Sequence, residues 1–155
     1  YNIAVVPTGM LLGEAIFETD VSLGTDTRVT MALIGSVEVG TLAVQPLVED
    51  SSQIGAGETR IAVFNAVSGG LPMNVSVNGN DLVGSLAYPT SIDSDGDGFG
   101  SNDIIAQSYH IEVKYMDGTS FMDLGEVTFG DGHSYFIAVT GLANSPVYVI
   151  EGTDP

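Results

Sequence analysis

The chain has no cysteine among its 155 residues. No disulfide staples it, and the absence suits the cytosol and many bacterial surface proteins alike. Basic residues are nearly as scarce: Arg28, Arg60 and Lys114 stand against twenty Asp and Glu, a net charge of −17. That excludes the basic patches that hold nucleic acid or an anionic membrane surface, and it favours cations as partners. No apolar run approaches the ~20 residues of a membrane-spanning helix. No signal peptide is visible, and the chain opens on Tyr1 rather than Met, which reads as a processed or excised segment. Histidine occurs only as His110 and His133, so no His/Cys cluster suggests zinc. No Gly-rich phosphate loop follows a strand and opens a helix.

What is present is apolar material, 44% of the residues, enough to build a core. It is arranged in short alternating runs broken by Gly, Pro, Asn and Asp, the pattern of antiparallel strands. The first strands are expected near Tyr1–Val6, Leu12–Val21, Arg28–Ile34 and Thr41–Val48, and Pro46 suits an edge or a strand end. The polar, aperiodic stretch Glu49–Glu58 reads as a linker. Further strands are expected at Arg60–Val67, Met73–Val77, Leu82–Tyr88, Tyr109–Tyr115, Phe121–Phe129, Ser134–Thr140 and Val147–Ile150. Asn78-Gly79 is a strong signal for a tight hairpin, because both positions tolerate positive φ.

The chain also repeats itself. Tyr1-Asn2-Ile3-Ala4-Val5 parallels Tyr109-His110-Ile111-Glu112-Val113, and Val21-Ser22-Leu23-Gly24 parallels Val127-Thr128-Phe129-Gly130. Val29–Gly35 then parallels Tyr135–Gly141 with no gap between the two blocks. A repeat constrains architecture before any other feature does. It predicts one complete domain, residues 59–155, preceded by the C-terminal half of another copy, residues 1–48, with residues 49–58 between them. Seven or so short strands in the complete domain predict an all-β fold, an immunoglobulin-like antiparallel β-sandwich.

Three segments carry a family resemblance: Thr59–Val67, the strand and hairpin Met73–Gly79, and the half that runs from Tyr109-His110-Ile111-Glu112-Val113 to Tyr135–Gly141. Together they resemble the repeat called domain of unknown function 4397. The resemblance covers nearly all of residues 59–155, and residues 1–48 are similar to the back half of a preceding copy. It implies an immunoglobulin-like module of secreted and cell-surface proteins of bacteria and archaea, with no known chemistry. One departure is plain, a long acidic loop where the family has a brief turn.

That loop is Asp93-Ser94-Asp95-Gly96-Asp97-Gly98-Phe99-Gly100-Ser101-Asn102-Asp103. Aspartates at loop positions one, three and five, with glycine at six, match what an oxygen-ligated calcium ion needs. The expected ligands are Asp93, Asp95, Asp97, the Phe99 carbonyl, Ser101 and Asp103. The loop resembles the calcium loops of dockerins and thrombospondin type 3 repeats, except that Ile104 stands where the bidentate carboxylate belongs. The plainer alternative is a solvated Asp/Gly turn, but the crowded carboxylates repel one another unless a cation intervenes. Asn74-Val75-Ser76 is an N-glycosylation sequon on a strand whose alternation turns Asn74 outward. Asp131, His133 and Ser134 contain the residue types of a hydrolytic triad, yet neighbours in one tight turn do not give its geometry, so no enzyme is expected.

Alone, residues 1–48 would expose apolar surface and unpaired strand edges. The missing strands lie upstream in a longer array, or the half-copy docks on a neighbouring subunit. The sequence therefore predicts a structural subunit of an extracellular filament or surface array, assembled with copies of itself and stiffened by calcium. A cell-surface adhesin or carbohydrate-binding module, with glycans as partners, is the alternative.

Overall fold

In the computed structural model, which describes residues 1–25, 27–91, 100–142 and 145–153, alternation is realised as strands almost throughout. The chain divides into two units, residues 1–51 and 52–155. The first holds β1 (Asn2–Val5), β2 (Phe17–Asp20), β3 (Val29–Ile34) and β4 (Ala43–Val48). These form two separate antiparallel hairpins, β1–β2 and β3–β4. Where a strand was expected from Leu12, residues Leu12–Glu14 form a 3-10 turn instead. The Glu14 carboxylate accepts the Leu11 N–H at 2.8 Å, so the polar side chain competes locally with strand pairing. Pro46 lies within β4, whose other side has no partner strand among the described residues, as an edge position requires.

The second unit holds β5 (Glu58–Asn65), β6 (Met73–Val77), β7 (Asn80–Leu86), β8 (Ser101–Ile105), β9 (Ser108–Tyr115), β10 (Ser120–Thr128), β11 (Ser134–Leu142) and β12 (Ser145–Thr153). They form two four-stranded sheets, β10-β9-β6-β7 and β12-β11-β5-β8. All pairings are antiparallel except β5 with β11, which is parallel. At the β6–β7 turn, Asn78 and Gly79 take φ of 50° and 78°, the twist that a two-residue hairpin demands. One strand was not foreseen: β8 emerges from the end of the acidic stretch. Another runs longer than expected, β12 starting at Ser145 and taking in Pro146, which an edge strand tolerates.

One buried cluster joins the two sheets. Ile61 and Val63 of β5 and Ile137 and Val139 of β11 meet Met73, Val75, Val83, Leu86, Ile111 and Val113 of the other sheet. Burying each such side chain stabilises the fold by about 1.5–3 kcal/mol. At one end Tyr135 stands edge-on to Phe129, 4.8 Å between ring centres, and its hydroxyl accepts the Gly130 N–H. A buried polar group fixes the exit of β5: Asn65 donates to the Leu86 carbonyl and accepts from the Val67 N–H, each at 3.0 Å. Asn65→Ala strands both backbone partners, so a loss of about 1–3 kcal/mol in urea unfolding, with m unchanged, is the expected outcome.

Candidate functional site

The two units differ most where the sequence repeats. In β9–β10 Val127 lies opposite Tyr109, Glu126 opposite His110 and Gly125 opposite Ile111. In β1–β2 the Val21 N–H donates to the Tyr1 carbonyl at 2.8 Å, Asp20 lies opposite Asn2 and Thr19 opposite Ile3. These are the same pairings at equivalent positions. The match ends at a bulge in β10 between Asp123 and Gly125. Gly35, just after β3, and its counterpart Gly141, near the end of β11, both have positive φ, 90° and 93°. A Cβ on Gly35 would collide with the Thr41 backbone carbonyl, so the turn after β3 requires glycine.

Burial is where the equivalence breaks. Ile137 and Val139 of β11 are 0% exposed, whereas their counterparts in β3, Met31 and Leu33, are 37% and 47% exposed. Ile111 and Val113 of β9 are fully buried, and their counterparts Ile3 and Val5 are only half-buried. No described residue of 1–51 is buried. The cause is topological. In the second unit β9 is flanked by β10 and β6, and β11 by β12 and β5. Among the described residues, β1 has only β2 and β3 has only β4, so each presents one unpaired edge beside an apolar face. No family model, curated protein or solved structure matches the chain. The site must therefore be read from its own chemistry: among the described residues, a strand edge without a partner beside partly exposed apolar side chains.

Of the expected calcium ligands, Asp93, Asp95, Asp97 and Phe99 lie outside the described residues. Ser101 and Asp103 open β8. Ser101 is buried, and Asp103 pairs across the sheet with Arg60 of β5. Arg60 alternates with Ile61 and Val63, which face the core, so it lies on the opposite face, yet it is buried too. Its Nε donates to Asp103 Oδ1 at 2.7 Å and one terminal nitrogen to Oδ2 at 2.8 Å. The fork also donates to the Ser52 carbonyl and hydroxyl at 3.0 and 3.1 Å. A bidentate pair of this kind is strong and fixes orientation. It anchors the outgoing end of the acidic stretch to the strand that opens the domain. The sequence does not reveal it, since Arg60 falls on the face where alternation puts solvent. Among the described residues, no three His, Asp or Glu gather as metal ligands.

Asn74 is half-buried rather than turned freely outward. Its Oδ1 accepts the Ser85 N–H at 2.8 Å, and the sequon's Ser76 is buried. His110 Nε2 lies 3.1 Å from Asp123 Oδ1 on the neighbouring strand. Asp131 Oδ1 accepts the Gly57 N–H at 2.8 Å, and the His133 ring lies against Tyr135. No helix among the described residues is long and apolar enough to cross a membrane.

Proposed function

We propose that the chain is a structural module of an extracellular filament or surface array, assembled at its half-copy by strand complementation and packing, with the acidic loop binding calcium. In this reading residues 59–155 are an immunoglobulin-like β-sandwich of the domain of unknown function 4397 type. Residues 1–48 are the C-terminal half of a second copy, and copies of the chain are the partners. The sandwich class does not demand one strand order, and here β5, the first strand, lies between β8 and β11. The carrying observation is the exposure of Met31 and Leu33 where Ile137 and Val139 are fully buried. An apolar face with an unpaired edge is a cost in isolation and an attachment point in an assembly. A head-to-tail contact that does not close propagates as a fibre. At a net charge of −17 per chain, copies repel, and a bound divalent cation offsets that repulsion.

The test is immunogold electron microscopy of the producing cells, with antibody raised against residues 59–155. Fibres or a lattice decorated at regular intervals are expected, loosened by washing with chelator. Label found only on free, monodisperse protein overturns the reading.

Calcium has its own test. At a hundred times its Kd, a ligand of the folded state adds about 2.7 kcal/mol, on the order of 10 °C in Tm for a domain of this size. The melting midpoint should rise by that order in calcium over chelator, and Asp95→Asn with Asp97→Asn should remove the rise. An unchanged midpoint in the parent chain eliminates the calcium site.

A further inference from the structure

The edges of the second unit's two sheets are not alike. Edge strands carry devices that stop a further strand from pairing, among them short length, bulges and proline. Of the edges formed by the described residues, β8 is only five residues long. β7 and β10 each slip register twice against their neighbours, and Ser85 of β7 takes a φ of 56°. β12 slips nowhere: all nine of its residues pair with β11 in one register.

The first unit sharpens the contrast. Pro46 of β4 lies opposite Met31, and Ile150 of β12 lies opposite Ile137, the counterpart of Met31. Where β4 has a proline at mid-strand, β12 has an ordinary residue with an N–H to offer. Pro146, second in β12, has none, so within the ladder it must sit where backbone groups face away from β11. Alternate residues of an antiparallel strand face the same way, so the N–H and C=O of Tyr148, Ile150 and Gly152 also point outward. Among the described residues no strand pairs with them. The edge is apolar as well: Val147, Tyr148 and Val149 are 54%, 44% and 45% exposed. From Ser134 to Ile150 there is no charged residue, in a chain of net charge −17. Copies of so acidic a chain approach one another most easily at a neutral edge.

We infer that β12 pairs with β12 of a second copy, antiparallel about a two-fold axis at Val149. The contact lies in the second unit and does not rest on the assembly proposed for residues 1–48. A regular strand is complementary to itself under such an axis. With Val149 opposite Val149, Tyr148 of each copy lies opposite Ile150 of the other and the two exchange both backbone bonds. Pro146 then falls opposite Gly152, where its carbonyl still accepts. An axis at Tyr148 would set Pro146 against Ile150 and lose bonds. Glu151 is the one charged residue of the strand. In this register its two copies stand four positions apart, about 13 Å along the sheet, whereas parallel pairing in register would set them side by side. The contact closes at two copies and doubles the width of the sheet.

The chain has no native cysteine, so a single one reports the axis. Val149→Cys should form a disulfide between copies under mild oxidation, because directly opposed positions of an antiparallel pair bring Cα atoms to about 4.5–5.5 Å. Val147→Cys, off the axis, should crosslink at least about tenfold more slowly. Tyr148→Pro added to the Val149→Cys chain removes one outward N–H and should cut crosslinking at least about tenfold while cooperative unfolding is retained. If that variant does not fold, Val149→Lys sets like charges directly opposite and should turn the dimer into monomer in sedimentation equilibrium. The dimer should persist in chelator and tighten with added salt, which screens the repulsion between copies. Met31→Asp should leave crosslinking at residue 149 unchanged, and a loss with it would assign the contact to the first unit and overturn the inference. A parent chain that stays monomeric overturns it, and slow amide exchange at Tyr148 and Ile150 in that monomer would mean that another segment covers the edge. A dimer that survives both Tyr148→Pro and Val149→Lys, or that dissociates in chelator, places the contact elsewhere and overturns it too.

Discussion

Asp103→Ala should lower the stability of the complete domain by about 3 kcal/mol, the low end for breaking a buried ion pair, because the Asp103 side chain keeps 28% of its surface exposed. The loss comes less from the attraction removed than from what remains. Arg60, 6% exposed at its side chain, would keep a full charge in a buried site after losing the carboxylate that forks with it. For a domain of this size that is a fall in Tm of roughly 12 °C or more. Thermal denaturation in calcium and in chelator checks the cause: an ion-pair role gives the same loss in both. A loss seen only in calcium would instead make Asp103 a ligand of the loop. Arg60→Met combined with Asp103→Leu removes both charges and should recover most of the stability, as paired removal of buried charges does elsewhere. A double variant no more stable than Asp103→Ala would mean that Arg60 is held for other reasons.

The second large effect is a contrast between two equivalent positions. Ile137→Ala opens a cavity in a packed core and should cost about 2–5 kcal/mol. Met31→Ala, at the counterpart position with 37% of its surface exposed, should stay within about 1 kcal/mol in the isolated chain. Chemical denaturation of the two single variants measures both. Equal losses would mean that Met31 is already covered in solution, against the reading proposed above. Any assembly that covers β3 should make Met31→Ala costly again, so the same substitution reports on association.

Much of this was legible in the sequence because strands write themselves as alternation. Arg60–Val67, Met73–Val77 and Tyr109–Tyr115 each overlap a strand within a residue or two. The repeat made the open edges of residues 1–48 foreseeable, since β1 and β3 copy strands that need partners on both sides. The misses share one feature: polar side chains that the sheets bury. In β8, Ser101 and Asn102 are consecutive and both buried, so the strand has no apolar alternation to reveal it and reads as the tail of an acidic loop. Arg60 reads as a solvent-facing residue until Asp103 is placed across the sheet from it. The Ser76 of the sequon looks outward by alternation but is buried where β6 is flanked by β7 and β9.

Pro46 gives the sheet of β3 and β4 a direction. A proline has no N–H to offer, so the outer rim of β4 is interrupted in the middle of its length. Sheet extension from β3–β4 is blocked on that rim and open on the other, where β3 presents an unbroken row of backbone groups. In the assembly proposed above, strand addition at this sheet has one permitted side, and the two ends of any chain of subunits built through it are chemically unlike.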